Sequence, residues 1–288
     1  YVLKANSGVP EGLMWGPAGA RQELTDNITV LVGETGDFPT INAALENVVA
    51  LYYPKFISTG CPRVTIRLLP GFIMNEQVLI DALNLSWITI TGDDDETIIN
   101  RSALIKDFGE SYPAFGVRNG GHLPIINQLF NMDKSGSGTQ LAYTHGICAK
   151  SSSVIISPNC GVKNAKKGIY ALNSIITAKQ TNFSGADMYG IHVHASIVDV
   201  SSANISESNT HGIYATRSKV NATSVDVSGA VSSGIYSISS VINATSANIA
   251  TGGYCIYVSN GSIVSAIDTS GSYNITPNTI TANGIIFK

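Results

Sequence analysis

GIYATRSKVNATSVDVSGAVSSGIYS, Gly212 to Ser237, opens and closes on the same three residues, Gly-Ile-Tyr, twenty-two positions apart. The interval extends well beyond this stretch. Glycine stands at 146, 168, 190, 212 and 234, and serine at 152, 174, 196, 218, 240 and 262, both series stepping by 22. Each glycine is followed by Ile147, Ile169, Ile191, Ile213 or Ile235, and eight places on by Val154, Ile176, Val198, Val220 or Ile242. Ala178, Val200, Ala222 and Ala244 share a third apolar slot, and Phe183, Ile205, Val227 and Ile249 a fourth.

Within each unit, apolar and polar residues alternate over three short β-branched segments separated by Gly, Ser, Asn and Asp. A strand of about four residues cannot bury an inner face alone, but coils stacked ~4.8 Å apart share one apolar column. The expected fold is all-β: a right-handed parallel β-helix with three-strand coils of about 22 residues. Leucine is nearly absent from the repeat, which excludes a leucine-rich solenoid, and a propeller blade needs roughly 40 residues. Gly-Ile-Tyr is then the first strand of each coil, with Gly expected to allow a tight turn, Ile pointing in and the third residue pointing out. That outward position forms a column of Tyr170, His192, Tyr214, Tyr236 and, one residue out of period, Tyr257.

Composition agrees with a polymer-like coil whose surface is polar through hydroxyls and amides. Of 288 residues 44% are hydrophobic, enough for one large core, and only 13% are charged. A net charge of -3, with 17 scattered basic residues, argues against nucleic acid as a partner. No apolar run approaches the roughly 18 residues that span a bilayer, so no membrane insertion is expected. The chain starts at Tyr1 without Met, the form of a fragment or processed product. Cys61, Cys148, Cys160 and Cys255 lack metal-type spacing and are expected to be buried free thiols. Neither a metal site nor any cofactor is expected. Of nine Asn-x-Ser/Thr triplets, those at Asn182, Asn204, Asn221 and Asn243 keep the 22-residue register, which favours a structural reason over glycosylation.

Residues 1–30 read as a linker or attachment segment and 31–288 as one β-helix domain. Within it, 38–56 forms an amphipathic capping helix, with Thr40 as N-cap and Ile41, Ala44, Leu45, Val48 and Tyr52 on one face. Val64–Ile73, Gln77–Asp81 and Trp87–Gly92 are expected strands of irregular first coils spanning 64–145, before the regular coils of 146–288. Residues 102–145 break the period and are expected to form long loops, and NTITANGIIFK at the end a closing strand.

The succession Phe38-Pro-Thr-Ile-Asn-Ala-Ala-Leu, Val64-Thr-Ile-Arg-Leu-Leu-Pro-Gly and Ile88-Thr-Ile-Thr-Gly, followed by 22-residue coils, resembles the pectate-lyase-like β-helix superfamily, and within it bacteriophage tailspike and tail-fibre proteins. The opening Tyr1-Val-Leu-Lys-Ala-Asn-Ser-Gly-Val-Pro-Glu-Gly-Leu-Met-Trp-Gly is similar to a phrase of phage tail proteins. The resemblance implies a homotrimer, assembled in the host cytoplasm and carried on the virion tail, attached to tail or baseplate proteins through its N-terminus. It further implies recognition of a bacterial surface polysaccharide, capsule or lipopolysaccharide, often with cleavage by hydrolysis or β-elimination. The alternatives are a non-catalytic receptor-binding or structural tail module, and a free polysaccharide lyase or esterase.

The candidate residues follow from that chemistry. The outward column is a candidate glycan platform, or rings that only stack on one another or pack on a subunit. Asp187 and Glu207, in one turn of adjacent coils with His211 near, are the candidate catalytic pair for two-carboxylate hydrolysis, the alternative being solvated turn residues. His192, His194, Asp199, Arg217 and Lys219 form a second cluster, in which His192 would abstract a proton and Arg217 or Lys219 neutralise the developing charge of a lyase reaction. With Tyr170, Tyr214, Tyr236 and His211 these supply the expected substrate contacts. Asp93 to Glu96 are weighed as a Ca²⁺ loop against a solvated turn, and Lys163, Lys166 and Lys167 as contacts to an anionic glycan against simple solubilising charge.

Overall fold

The computed structural model describes residues 2–5, 13–16, 21–54, 61–109, 111–134, 143–270, 279–280 and 283–287. The chain coils into a parallel β-helix whose three faces recur once per coil. The long face holds nine parallel strands, from Val78–Asp81 through Lys167–Leu172, Tyr189–His194, His211–Thr216, Ser233–Ile238 and Tyr254–Ser259 to Thr279–Ile280. A second face begins as Ile28–Val32, Val64–Leu68, Ile88–Gly92 and Ile125–Asn127, and passes through an Ile126–Ile156 bridge into seven strands running from Ser153–Ile155 to Ile285–Phe287. The third face has four strands, ending at Gly161–Lys163, and then thins to single bridges, Gly161–Asn182–Asn204–Asp226–Asn248–Ser270.

The strand breaks expected within residues 64–92 shift slightly, because Val64–Leu68 and Ile73–Met74 are separate strands on different faces. The helix spans Ile41–Leu51, and Tyr52–Tyr53 leaves it to pair with Gln22–Glu23. Thr40 caps it by accepting from Ala43 N–H at 3.1 Å, and Glu76 accepts from the N–H groups of Ile41 and Asn42 at 2.6 and 3.0 Å. Its buried residues, Ile41, Ala44, Leu45 and Val48, join the core column at its first coil, where the helix packs on Ile28–Val32 and Val64–Leu68. Val2–Ala5 and Leu13–Gly16 form a separate antiparallel pair.

One contiguous core runs from Leu24 to Ala266. Ile169, Ile191, Ile213 and Ile235 fill it from the long face, Ile176, Val198, Val220 and Ile242 from the second, and Phe183, Ile205, Val227 and Ile249 from the third. Fully burying such a side chain contributes about 1.5–3 kcal/mol.

The corners explain the polar repeats. Asn173, Ala195, Arg217 and Ser239 take φ of 48 to 50°, in register, as do Gln180, Ser202, Ser224 and Ser246 at 53 to 57°. A third row at the remaining corner is Asn164, Gly185, Glu207 and Gly229. Single left-handed residues thus turn the chain three times per coil. The serine series is a buried hydroxyl ladder. Each of Ser174, Ser196, Ser218, Ser240 and Ser262 accepts, at 3.0–3.2 Å, the N–H of the serine 22 residues earlier. Those of 174, 196, 218 and 240 also donate to the carbonyl two residues back. The four in-register Asn side chains accept from the Ser or Thr two residues on, so their triplets are Asx turns at corners.

The repeat glycines do not serve the turns. Their φ is not positive; they sit inside the long-face strands where the third face presses closest. A Cβ on Gly190 would fall 1.9 Å from Ile205 Cγ2 and one on Gly168 2.7 Å from Phe183 Cβ. Close approach between faces, rather than turning, reserves the position for glycine.

One coil keeps a different count. Ser233 and Tyr236 pair with Tyr254 and Tyr257, 21 residues on, while Val241 pairs with Ile263, 22 on. The missing residue is lost at the Thr251–Gly253 corner and regained at Asn260–Gly261, both with positive φ.

Candidate functional site

The outward side of the long face carries two adjacent columns. The expected one places Cys148, Tyr170, His192, Tyr214, Tyr236 and Tyr257 in strict register. Beside it, at the position before each repeat glycine and then before Cys255, run His145, Lys167, Tyr189, His211, Ser233 and Tyr254. Sequence reasoning singled out only His211 and Lys167 from this second column and did not see it as a column, although its members also step by 22 until the short coil. Diagonal contacts weld the two together. The Tyr189 ring lies 5.1 Å from His192, 5.5 Å from His211 and 5.2 Å from Tyr214.

How the rings stack determines what they can offer a ligand. Tyr214 and Tyr236 lie 5.1 Å apart at 6°, and Tyr236 and Tyr257 4.4 Å apart at 4°. Their faces cover one another along the coil axis, so edges and phenol ends, rather than open faces, are turned outward. At the other end His192 meets Tyr214 edge-on at 82° and Tyr170 at 48°.

Burial keeps the imidazoles neutral. His192 is pushed down to about 3, by desolvation first and then by the Lys167 charge, and His211 to about 4 by desolvation. His145, 2% exposed, lies well below the usual imidazole range for the same first cause. The Nδ1 atoms of all three are buried without a hydrogen-bond partner among the described residues. The phenols of Tyr189 and Tyr236 are raised by desolvation. Lys167 is also held back by desolvation, to about 8, and its ammonium sits 4.1 Å from the Tyr170 ring centre. Both it and Lys163 are half-buried, but Lys163 pairs with Glu96.

The two carboxylates do not occupy equivalent places. Asp187 is held by the buried Arg101 at 2.9 Å, with Lys134 at 3.9 Å, and Arg101 also donates to Thr144 at 2.7 Å. Glu207 is exposed and is itself a left-handed corner residue, in the row of Gly185 and Gly229. Asn209, 22 residues after Asp187, donates its N–H to the Ala186 carbonyl, and the Asp187 N–H reaches the Ala165 carbonyl. His211 faces the ring columns.

The lyase cluster is likewise divided. His192 belongs to the long face, whereas Arg217 is a corner residue and Lys219 an exposed member of the second face. His194 Nδ1 lies 2.7 Å from Thr216 Oγ1, and Asp199 pairs with Lys179 at 3.1 Å. A base whose conjugate acid titrates near 3 is also a weak one for taking a proton from carbon.

Three of the four acids are engaged by separate partners: Asp93 by Arg67 at 2.6 Å, Asp94 by Gly71 N–H at 2.7 Å, and Glu96 by Lys163 and Asn131. Cys148, Cys160 and Cys255 are buried free thiols, and Cys61 is half-buried. Elsewhere, Asn159, Gln180, Thr181, Asn182, Ser202 and Asn204 line an open polar hollow of about 420 Å³ where the second and third faces meet, which the sequence did not single out.

No family profile and no curated protein matches the chain. Among solved structures, similarity is found to the crystal structure of the Dettilon tailspike protein (gp208), at 9% identity and a TM-score of 0.30, over 77% of this chain and 62% of that one. The chain therefore spans about six-tenths of that protein's length.

Proposed function

We propose that the protein is a tailspike-like recognition module of a virion tail that binds a bacterial surface polysaccharide without cleaving it. The observation that carries this reading is the double column on the long face, where phenols recur on five successive strands from Tyr170 to Tyr257, with the imidazoles of His192 and His211 among them, along an extended surface. A chain of sugars presents hydroxyls at a similarly repeating spacing, and a rigid coil stack orders such groups before binding, which lowers the entropic cost of association. The engagement of Asp187 by Arg101 and the division of the lyase cluster between faces favour binding over depolymerisation.

Assembly as a homotrimer, attached through the N-terminal segment, is part of the same proposal. An exposed column on the second face, Ile175, Ile197, Lys219, Val241, Ile263 and Ile285, aliphatic but for Lys219, offers neighbouring copies an apolar surface. Light scattering of the purified protein tests it against the 30.3 kDa chain mass.

Recognition is tested by incubating the protein with immobilised capsule and lipopolysaccharide, followed by mass spectrometry of the soluble fraction. Retention with intact polymer, weakened by Tyr214→Ala and Tyr236→Ala, is the expected result. Released oligosaccharides would refute the non-catalytic reading, and absence of retention would refute recognition itself.

A further inference from the structure

Among the described residues, the two ring columns contain a single cation, Lys167, and no counter-ion for it. Among the described residues no carboxylate lies within ion-pair distance of it; its ammonium rests 4.1 Å from the centre of Tyr170 and 5.8 Å from that of Tyr189. The charged and titratable groups around it are His145 and Tyr189, its neighbours along the column, Cys148 and His192 across it, and Lys166 before it. Cys148 is a buried thiol raised by desolvation and the imidazoles are neutral, so none of these supplies a resident negative charge at neutral pH. His145 and His192 each bring a buried Nδ1 without a partner.

A half-buried ammonium held over a phenol ring, with no carboxylate beside it among the described residues, has the make-up of a site awaiting an anion. Tyrosine faces stabilise a cation only in part, and an incoming monoanion would recover what desolvation costs. One ammonium balances one carboxylate; a phosphate dianion would remain half-compensated. The neutral, partly exposed imidazole of His192 can donate to or accept from the ring hydroxyls that flank such a carboxylate on an acidic sugar.

We propose that Lys167 anchors a carboxylate subsite on the long face, so that the glycan bound there contains a uronic-acid residue, with the half-buried His192 contacting the same sugar. The inference rests on the glycan-recognition reading for the polymer, but the subsite can be tested apart from it.

The experiment follows the titration of Lys167 in the intact chain by NMR of reductively ¹³C-methylated lysines, assigned with Lys167→Met. Measurements are made alone, with oligogalacturonate, with the same oligomer after carboxyl reduction, and with monomeric galacturonate. The acidic oligomer should raise the Lys167 midpoint by about one pH unit, since an adjacent anion favours the ammonium. The carboxyl-reduced oligomer should bind about tenfold more weakly, the equivalent of one such unit. Lys167→Met should reduce binding of the acidic oligomer to the level of the reduced one, and Lys167→Arg should restore it. If both oligomers bind alike with the midpoint unmoved, the subsite is refuted and glycan recognition stands. If only monomeric galacturonate moves the midpoint, the subsite stands and the extended glycan surface fails. No response to any of the three refutes the subsite.

Discussion

Replacing Ser196 with alanine should cost more than any count of its exposed surface suggests, because the hydroxyl completes a neighbouring coil's backbone. Ser196 is 3% exposed; its Oγ accepts from Ser174 N–H at 3.1 Å and donates to His194 carbonyl at 2.8 Å. Once it is gone, the His194 carbonyl keeps the bond from Asn173 N–H at 3.0 Å, but the Ser174 N–H has nothing to replace its acceptor. A buried donor left unpaired costs about 1–3 kcal/mol, whereas an ordinary net hydrogen bond is worth about 0.5–1.5. Ser152 supplies the internal control. As first rung its Oγ donates to Lys150 carbonyl at 2.9 Å, and that carbonyl also accepts from Asn119 N–H. Ser152→Ala therefore strands no backbone donor and should stay below about 1 kcal/mol. Native-state hydrogen exchange reads both the stability of each coil and the Ser174 amide directly. Ser196→Ala should speed exchange of the Ser174 amide and its neighbours roughly fivefold to hundredfold, every 1.4 kcal/mol being a factor of about ten. Equal effects of the two substitutions, or an unchanged Ser174 amide, would refute the ladder as the reason for the serine repeat.

Gly190→Ala should destabilise by at least about 1–3 kcal/mol, since its Cβ would meet Ile205 Cγ2 at 1.9 Å, while Gly252→Ala, with nothing closer than 3.6 Å, should be far milder; thermal melting compares them. Ser237→Ala should stabilise by about 1 kcal/mol in chemical denaturation, because the hydroxyl is buried without a partner among the described residues in a column otherwise filled by Ala171, Val193, Ala215 and Val258. Acid should weaken the coils before carboxylates protonate. His192 and His211 are neutral in the fold down to about 3 and 4 but protonate near 6.5 when unfolded, so the unfolded chain binds more protons in that window and stability falls as pH drops through it. The double variant His192→Gln with His211→Gln should flatten that slope in melting curves between pH 6.5 and 4, and an unchanged slope would contradict the neutral imidazoles.

The coil stack was legible because its register is written as residue identity: Ile after Gly, Val or Ile eight places on, and Ser at every sixth position after the Gly. What those residues do was less so. Glycine and serine both signal turns in a bare sequence, yet here the glycines serve close packing and the serines a buried ladder, a distinction that depends on which face lies opposite. The ring column was readable from the third residue of each strand, but the orientation of its rings was not, because stacking along the axis follows from side-chain torsions rather than spacing. Lys167 read as one of three lysines in a polar turn, since only the fold shows that it begins the strand beneath Tyr170 and Tyr189. Asp187 and Glu207 were grouped by closeness in the repeat. Two residues of phase separate a corner from a strand approach, and a partner 86 positions away, Arg101, had already engaged Asp187.

The coil that drops a residue at Thr251–Gly253 and recovers it at Asn260–Gly261 implies that each corner tolerates length changes by itself. A deletion shifts one strand's phase by a single position, and the next corner resets it before the error reaches the second face. Variation in this protein is therefore modular at its edges: segments of new length can be spliced into one corner of one coil, beside the ring columns, while every other row stays in step. Asn260–Gly261, which has accepted an extra residue, is the natural graft point for anyone wishing to give the scaffold a different binding loop.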